Sequence, residues 1–245
     1  DYKRHELLRV LQVSHSAQAD GLDFHPTLQI MATASSREVR FWNVADRRPA
    51  VGKVLTLDLA VYALAFLPTD GSVLALGCDQ GMLEVCDFPS LQPTFRERLS
   101  KTGERLSILC FSSCGRFLAA GSWDQQIYLL KLAQSQNSLD RSRKPATEVR
   151  LHRVLQGNSS SPVSIMFSAD AQYVMSNSKD TQILHWSTKD GSLQRAISAF
   201  RDTKWQQPWT GVFGWPVIGV WGDPDYDGSD VNSACQAYAP EKLLA

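Results

Sequence analysis

Apolar residues in this chain fall in short runs separated by clusters of Gly, Pro, Ser, Asn and Asp. Runs of about four to six residues bounded by turn formers predict β-strands rather than helices. The pattern is clearest from Phe111 to Lys131. Phe111 closes one run, Ser112 to Gly115 supply a turn, and Phe117 to Ala120 form a second run. Gly121 to Gln125 then turn the chain again, and Ile127 to Leu132 form a third run. The unit recurs. Its anchors, the Phe residues that end the first run, are Phe24, Phe66, Phe111 and Phe167, spaced 42, 45 and 56 residues apart. Repetition at such a period signals an array of like supersecondary units.

Each anchor is followed by a Pro- or Ser-based turn and then by a small-residue strand: Ile30 to Ala34, Val73 to Gly77, Phe117 to Gly121 and Tyr173 to Asn177. Closing strands are expected at Val39 to Trp42, Leu83 to Cys86, Ile127 to Leu130 and Ile183 to Trp186. In three units an Asp stands thirteen residues after the anchor: Asp79, Asp124 and Asp180. A carboxylate there can accept backbone N–H bonds in a tight turn, so these three read as structural turn residues rather than catalytic carboxylates.

With these positions aligned, the chain resembles the WD40 repeat proteins in period and strand count. The resemblance implies an all-β fold, a WD40 β-propeller. In that family the repeat Asp also bonds a His in the outer turn. Here His15 and Asn158 both stand nine residues before their anchors, but the first unit lacks the Asp, with Ser36 twelve residues after Phe24, and Asn158 replaces the His of the fourth. The units are expected at about 1–44, 45–88, 89–132, 146–188 and 189–228, with the start of another blade at 229–245. The propeller is therefore incomplete, about five blades and a beginning. A seven-bladed ring at ~42 residues per blade needs roughly 290 residues, so the chain is expected to be a piece of a longer protein. Asp46 to Pro49 reads as a surface turn. Residues 133–150, rich in Gln, Ser and Arg without apolar period, read as an insertion loop.

Charge and composition narrow the function classes. The 25 basic residues balance the 25 acidic ones, which argues against nucleic-acid binding driven by bulk charge. No apolar run approaches the ~18 residues of a membrane-spanning helix. Five Cys show no paired metal spacing and read as small buried thiols in a reducing compartment. No G-x-S-x-G elbow or phosphate-binding Gly-rich loop is present, and the five His are scattered. No cofactor and no metal are expected, and the protein is expected not to be an enzyme.

Near the C-terminus Trp205, Trp209, Trp215 and Trp221 crowd together. Gly219-Val220-Trp221, an acidic loop, and Asp227-Gly228-Ser229-Asp230-Val231-Asn232 with Cys235 then follow. This segment is similar to a signature of the echinoderm microtubule-associated protein-like family, specifically over about residues 180–245. The resemblance implies the second of two joined propellers. It also implies a microtubule-associated scaffold that binds tubulin through a rigid surface and modulates microtubule organisation or stability. The setting would be the cytoplasm and microtubule cytoskeleton, with the axoneme of cilia or flagella as a further place. The alternative is a WD40 adaptor in another protein complex. Asp223, Asp225, Asp227 and Gly228 match part of a calcium loop, but Ala234 stands where the loop needs Glu, and a plain acidic surface loop is the other reading. Candidate partner-binding residues are Arg141, Arg143, Lys144 and Arg150, as a basic finger for an acidic partner. Trp205 and Trp209 join them, either as a binding patch or as blade packing.

Overall fold

The computed structural model describes residues 18–44, 48–134 and 147–206, with the side chains of 48–53 and 134 excepted. The Phe-anchored runs are strands. The first sheet comprises β1 (Gly21–Phe24), β2 (Ile30–Ser35), β3 (Glu38–Asn43) and β4 (Arg48–Thr56). The second holds β5 (Val61–Phe66), β6 (Val73–Cys78), β7 (Met82–Asp87) and β8 (Pro93–Arg98). The third holds β9 (Leu106–Phe111), β10 (Phe117–Ser122), β11 (Ile127–Gln134) and β12 (Thr147–Leu155). The last holds β13 (Pro162–Phe167), β14 (Tyr173–Ser178) and β15 (Ile183–Ser187). Every sheet is an antiparallel meander whose strands pair in chain order. The four Phe anchors each end the first strand of a sheet.

The first strands of successive sheets, β1, β5, β9 and β13, are neighbours in that order. The sheets thus radiate from a common axis and stack face to face, which is the geometry of propeller blades. Small residues on the second strands let the sheets approach. Buried side chains then fill each gap. Between the first two blades lie Val39, Phe41, Val61, Leu64, Phe66, Leu74 and Leu76. Between the second and third lie Val73, Val85, Leu106, Phe111, Leu118 and Leu130. The third gap holds Ile127, Leu129, Leu155, Phe167 and Trp186. Neighbouring residues of β10 face opposite gaps, Ala120 one way and Ala119 the other, as a pleated strand buried on both faces requires. Gly77 marks a close approach, because a Cβ there would lie 2.9 Å from the Leu106 carbonyl oxygen.

The outer strands correct the sequence expectations. Arg48 and Pro49, expected in a surface turn, begin β4 and pair with Asn43 and Trp42. The insertion expected at 133–150 is narrower at both ends: Ala133 and Gln134 belong to β11, and Thr147 to Arg150 belong to β12. β8 is exposed along nearly its whole length. These rim strands are held by ladder hydrogen bonds to a buried neighbour, so they need no apolar period of their own. β4 lies within the expected unit 45–88, yet it completes the sheet of β1–β3.

Candidate functional site

One end of the blades gathers the polar residues singled out in the sequence. It is the end where the first strands begin and the second strands finish. Val61 pairs with Cys78, Leu106 with Ser122 and Pro162 with Ser178. The turn after each second strand is tied to the residue that precedes the first strand: Asp79 N–H donates to Ala60, Trp123 N–H to Arg105 and Lys179 N–H to Ser161. The residue after each Asp has a left-handed backbone, Gln80 at φ 55°, Gln125 at 70° and Thr181 at 64°.

The three Asp residues stand in these turns with different partners. Asp124 accepts from the Ser100 hydroxyl at 2.6 Å, the Tyr128 hydroxyl at 2.7 Å and the Gln126 N–H at 3.0 Å. Burial, with the Asp124 carboxylate beside it, pushes the Tyr128 phenol well above its usual range. Asp180 accepts from the Ser159 hydroxyl. Asp79 begins a tight turn, Asp79–Gly81, whose second and third residues have left-handed backbone at φ 55° and 69°. Asn158 lies close by and accepts from the hydroxyls of Ser176 and Ser178 at 2.9 and 3.0 Å while donating to the Gln125 carbonyl at 3.3 Å. Ser100 and Ser159 thus bond the turn Asp where a His was expected, whereas Asn158 bonds hydroxyls and a carbonyl instead of Asp180.

A stack of cations and rings crosses the same end. The Arg105 guanidinium carbon lies 4.3 Å from the Tyr62 ring centre and 3.4 Å from that of Trp123. Lys179 Nζ lies 4.5 Å from the Trp123 ring centre. Three blades contribute: Tyr62 from β5, Arg105 and Trp123 from the ends of β9 and β10, and Lys179 from the turn after β14. Tyr62 is the bulged residue of β5, since the register skips from Val61 to Ala63, and bulges re-aim side chains. Sequence reasoning passed over this group. Its one signal was Trp123, a large aromatic in the turn position where the sister units carry Cys78 and Lys179.

The candidate partner-binding residues separate. Arg150 is on β12, three-quarters exposed, with its Nε donating to Glu148 at 3.1 Å. Trp205 is only 7% exposed and packs with Met166, Met175 and Phe200, so it sits within the packing and not on an open face. His185 joins that cluster, its ring stacked on Phe200 at 4.2 Å. Burial lowers its pKa to about 4. Arg141, Arg143, Lys144 and Trp209 lie outside the described residues, as do the acidic loop and the Gly-Val-Trp motif. Cys78 and Cys86 are buried, and desolvation pushes both thiols up to about 12. Cys114 is exposed; its slight burial acts upward, but hydrogen bonds from Arg116 and Ser112 outweigh it and lower the thiol. Among the described residues no three His, Cys, Asp or Glu side chains gather as metal ligands, and no helix is long and apolar enough to cross a membrane.

Blades of this kind define a β-propeller. A chain in the crystal structure of a mitotic checkpoint complex shares the fold, with a TM-score of 0.55 over 71% of this chain and 48% of that one, at 19% identity. Residues 20–245 match the family described as the echinoderm microtubule-associated protein second beta-propeller, and the chain belongs to that family. It is 32% identical to echinoderm microtubule-associated protein-like 4 of Xenopus laevis, over 91% of this chain and 22% of that protein. It is 31% identical to the human protein of the same name, over 91% of this chain and 21% of that protein. Against the 77 kDa echinoderm microtubule-associated protein of Strongylocentrotus purpuratus the identity is 28%, over 95% of this chain and 31% of that protein. The chain thus spans about a fifth to a third of the length of these relatives.

Proposed function

We propose that this chain is part of a non-enzymatic, microtubule-associated scaffold that binds tubulin through a rigid propeller surface. The observation that carries the reading is the family match across residues 20–245, joined to relatives whose names describe microtubule association. The blade architecture supports it. Interlocked sheets hold their loops at fixed spacing, and several weak contacts made at fixed spacing sum along a repeating lattice. The basic residues Arg141, Arg143 and Lys144, together with Arg150 on β12, supply charge for tubulin's acidic surface. The setting is the microtubule cytoskeleton of the cytoplasm, and the axoneme where the protein is present there.

Co-sedimentation with stabilised microtubules across a salt series tests the reading. Pelleting is expected to weaken with salt, because contacts between exposed charges are screened. It should also weaken on removal of tubulin's acidic tails. Reversal of Arg141, Arg143 and Lys144 to Glu is expected to cost about tenfold in affinity. Unchanged affinity after that reversal would remove the basic finger from the contact. No pelleting by the folded chain would overturn the tubulin reading and favour an adaptor that engages another protein.

A further inference from the structure

The stack of Tyr62, Arg105, Trp123 and Lys179 joins two cations to two rings. Tyr62 and Trp123 both lie within cation–π range of the Arg105 guanidinium. Its Nε is buried with no hydrogen-bond partner. The residue as a whole is half-buried, and no acceptor within the described residues meets its terminal nitrogens. Neither Arg105 nor Lys179 is ion-paired among the described residues, whereas Arg40, Arg96 and Arg150 each have a carboxylate. A guanidinium held by rings is already partly desolvated and fixed in place, so an incoming carboxylate finds its planar donor group preorganised.

The surroundings limit what can arrive. Trp123 is 38% exposed and offers an apolar platform beside the guanidinium. Glu104 is exposed next to Arg105, and Asp124 and Asp180 stand in the adjoining turns. Three carboxylates around two cations leave no net positive field, so a polyanion is repelled and a single carboxylate must be held by direct hydrogen bonds to the guanidinium.

We propose that this patch is a docking site for a segment of another protein that presents a single carboxylate beside an apolar or aromatic side chain. The carboxylate bonds the Arg105 guanidinium, the apolar side chain lies against Trp123, and Lys179 adds a second cation at the rim. This reading uses none of the basic residues proposed for tubulin, and either reading stands without the other.

The test is calorimetric titration of the 245-residue chain with three capped peptides. One is a pentapeptide with a central glutamate between leucine and phenylalanine, the second carries glutamine in place of glutamate, and the third is hexaglutamate. The glutamate peptide is expected to bind about tenfold more tightly than the glutamine one, the difference a charge-assisted bond makes, and more tightly than hexaglutamate. Arg105→Met, which keeps the stem between the rings, should abolish the preference for glutamate. Lys179→Glu, on an exposed turn, should weaken the glutamate peptide with the fold intact, and so serves if the Arg105 variant fails to fold. Equal affinity for the glutamate and glutamine peptides would overturn the proposal, as would unaltered binding by a folded Arg105→Met chain. Stronger binding of hexaglutamate would overturn its single-charge form. Microtubule pelleting is expected to be the same for Arg105→Met as for the unaltered chain.

Discussion

Ala171 has a backbone φ of 58°, whereas its counterparts two residues before β6 and β10 are Gly71 at 69° and Gly115 at 70°. A side chain in the left-handed region costs about 1–2 kcal/mol, and part of that is offset when Gly loosens the unfolded chain. Ala171→Gly is therefore expected to raise stability by up to about 1 kcal/mol, read from the urea midpoint. His185 offers a pH test. Its Nδ1 is buried without a hydrogen-bond partner, and burial holds its folded pKa near 4 against the ordinary 6.5. Between those values the unfolded chain takes up a proton that the folded chain refuses. Stability from this group is complete above pH 6.5 and falls as the pH drops toward 4, by on the order of 3 kcal/mol. His185→Phe keeps a ring against Phe200 and should flatten most of the slope of unfolding free energy from pH 6.5 to 4.5. His25 and His152, also lowered by burial, leave a smaller slope of the same sign. At this scale the sequence told where the turn carboxylates stand but not what they touch. Asp124 meets Ser100 from 24 residues upstream, and such a partner is chosen by blade geometry, not by local pattern.

At the scale of the strand, legibility followed burial. The first three strands of each blade announce themselves because they pack against at least one neighbouring sheet and must be apolar on one or both faces. The fourth strands are at the rim. β8 exposes Thr94, Arg96, Glu97 and Arg98, so its composition resembles a loop, and only the ladder to β7 reveals it. The same logic hid Thr147 to Arg150 within an expected insertion. Blade spacing gives a sharper test than any rim residue. The Gly77 position faces backbone, not a flexible side chain, so Gly77→Ala must push β6 and β9 apart. A loss of about 1–3 kcal/mol is expected, measured by denaturant unfolding. A neutral result would mean that the two blades slide easily over one another.

Across the whole molecule, each apolar cluster in the gaps between the four described blades is shared by two adjacent blades, and in those gaps no cluster joins blades further apart. Stability then accumulates as a series of nearest-neighbour terms, and substitutions in separate gaps should add. The repeat period made the fold class readable, and the C-terminal signature made the family readable, because both depend on spacing along the chain. The cation–ring stack was not readable, because it joins residues 62, 105, 123 and 179 from three blades, and no period in the sequence connects them. The Trp cluster divided for a related reason: Trp205 bridges to Ser168 and fills a gap beside the fourth blade, which its neighbours in sequence could not reveal.

The end of the β11–β12 ladder carries a practical consequence. Gln134 and Thr147 are direct partners across the two strands, so these two strand ends lie one strand spacing apart, about 5 Å. Closing a connection between two such points costs little more as it lengthens. That rim position is therefore a natural port for a fluorescent reporter. A small domain spliced between these two residues would ride on the blade without stretching it, and would register by energy transfer whatever approaches that edge.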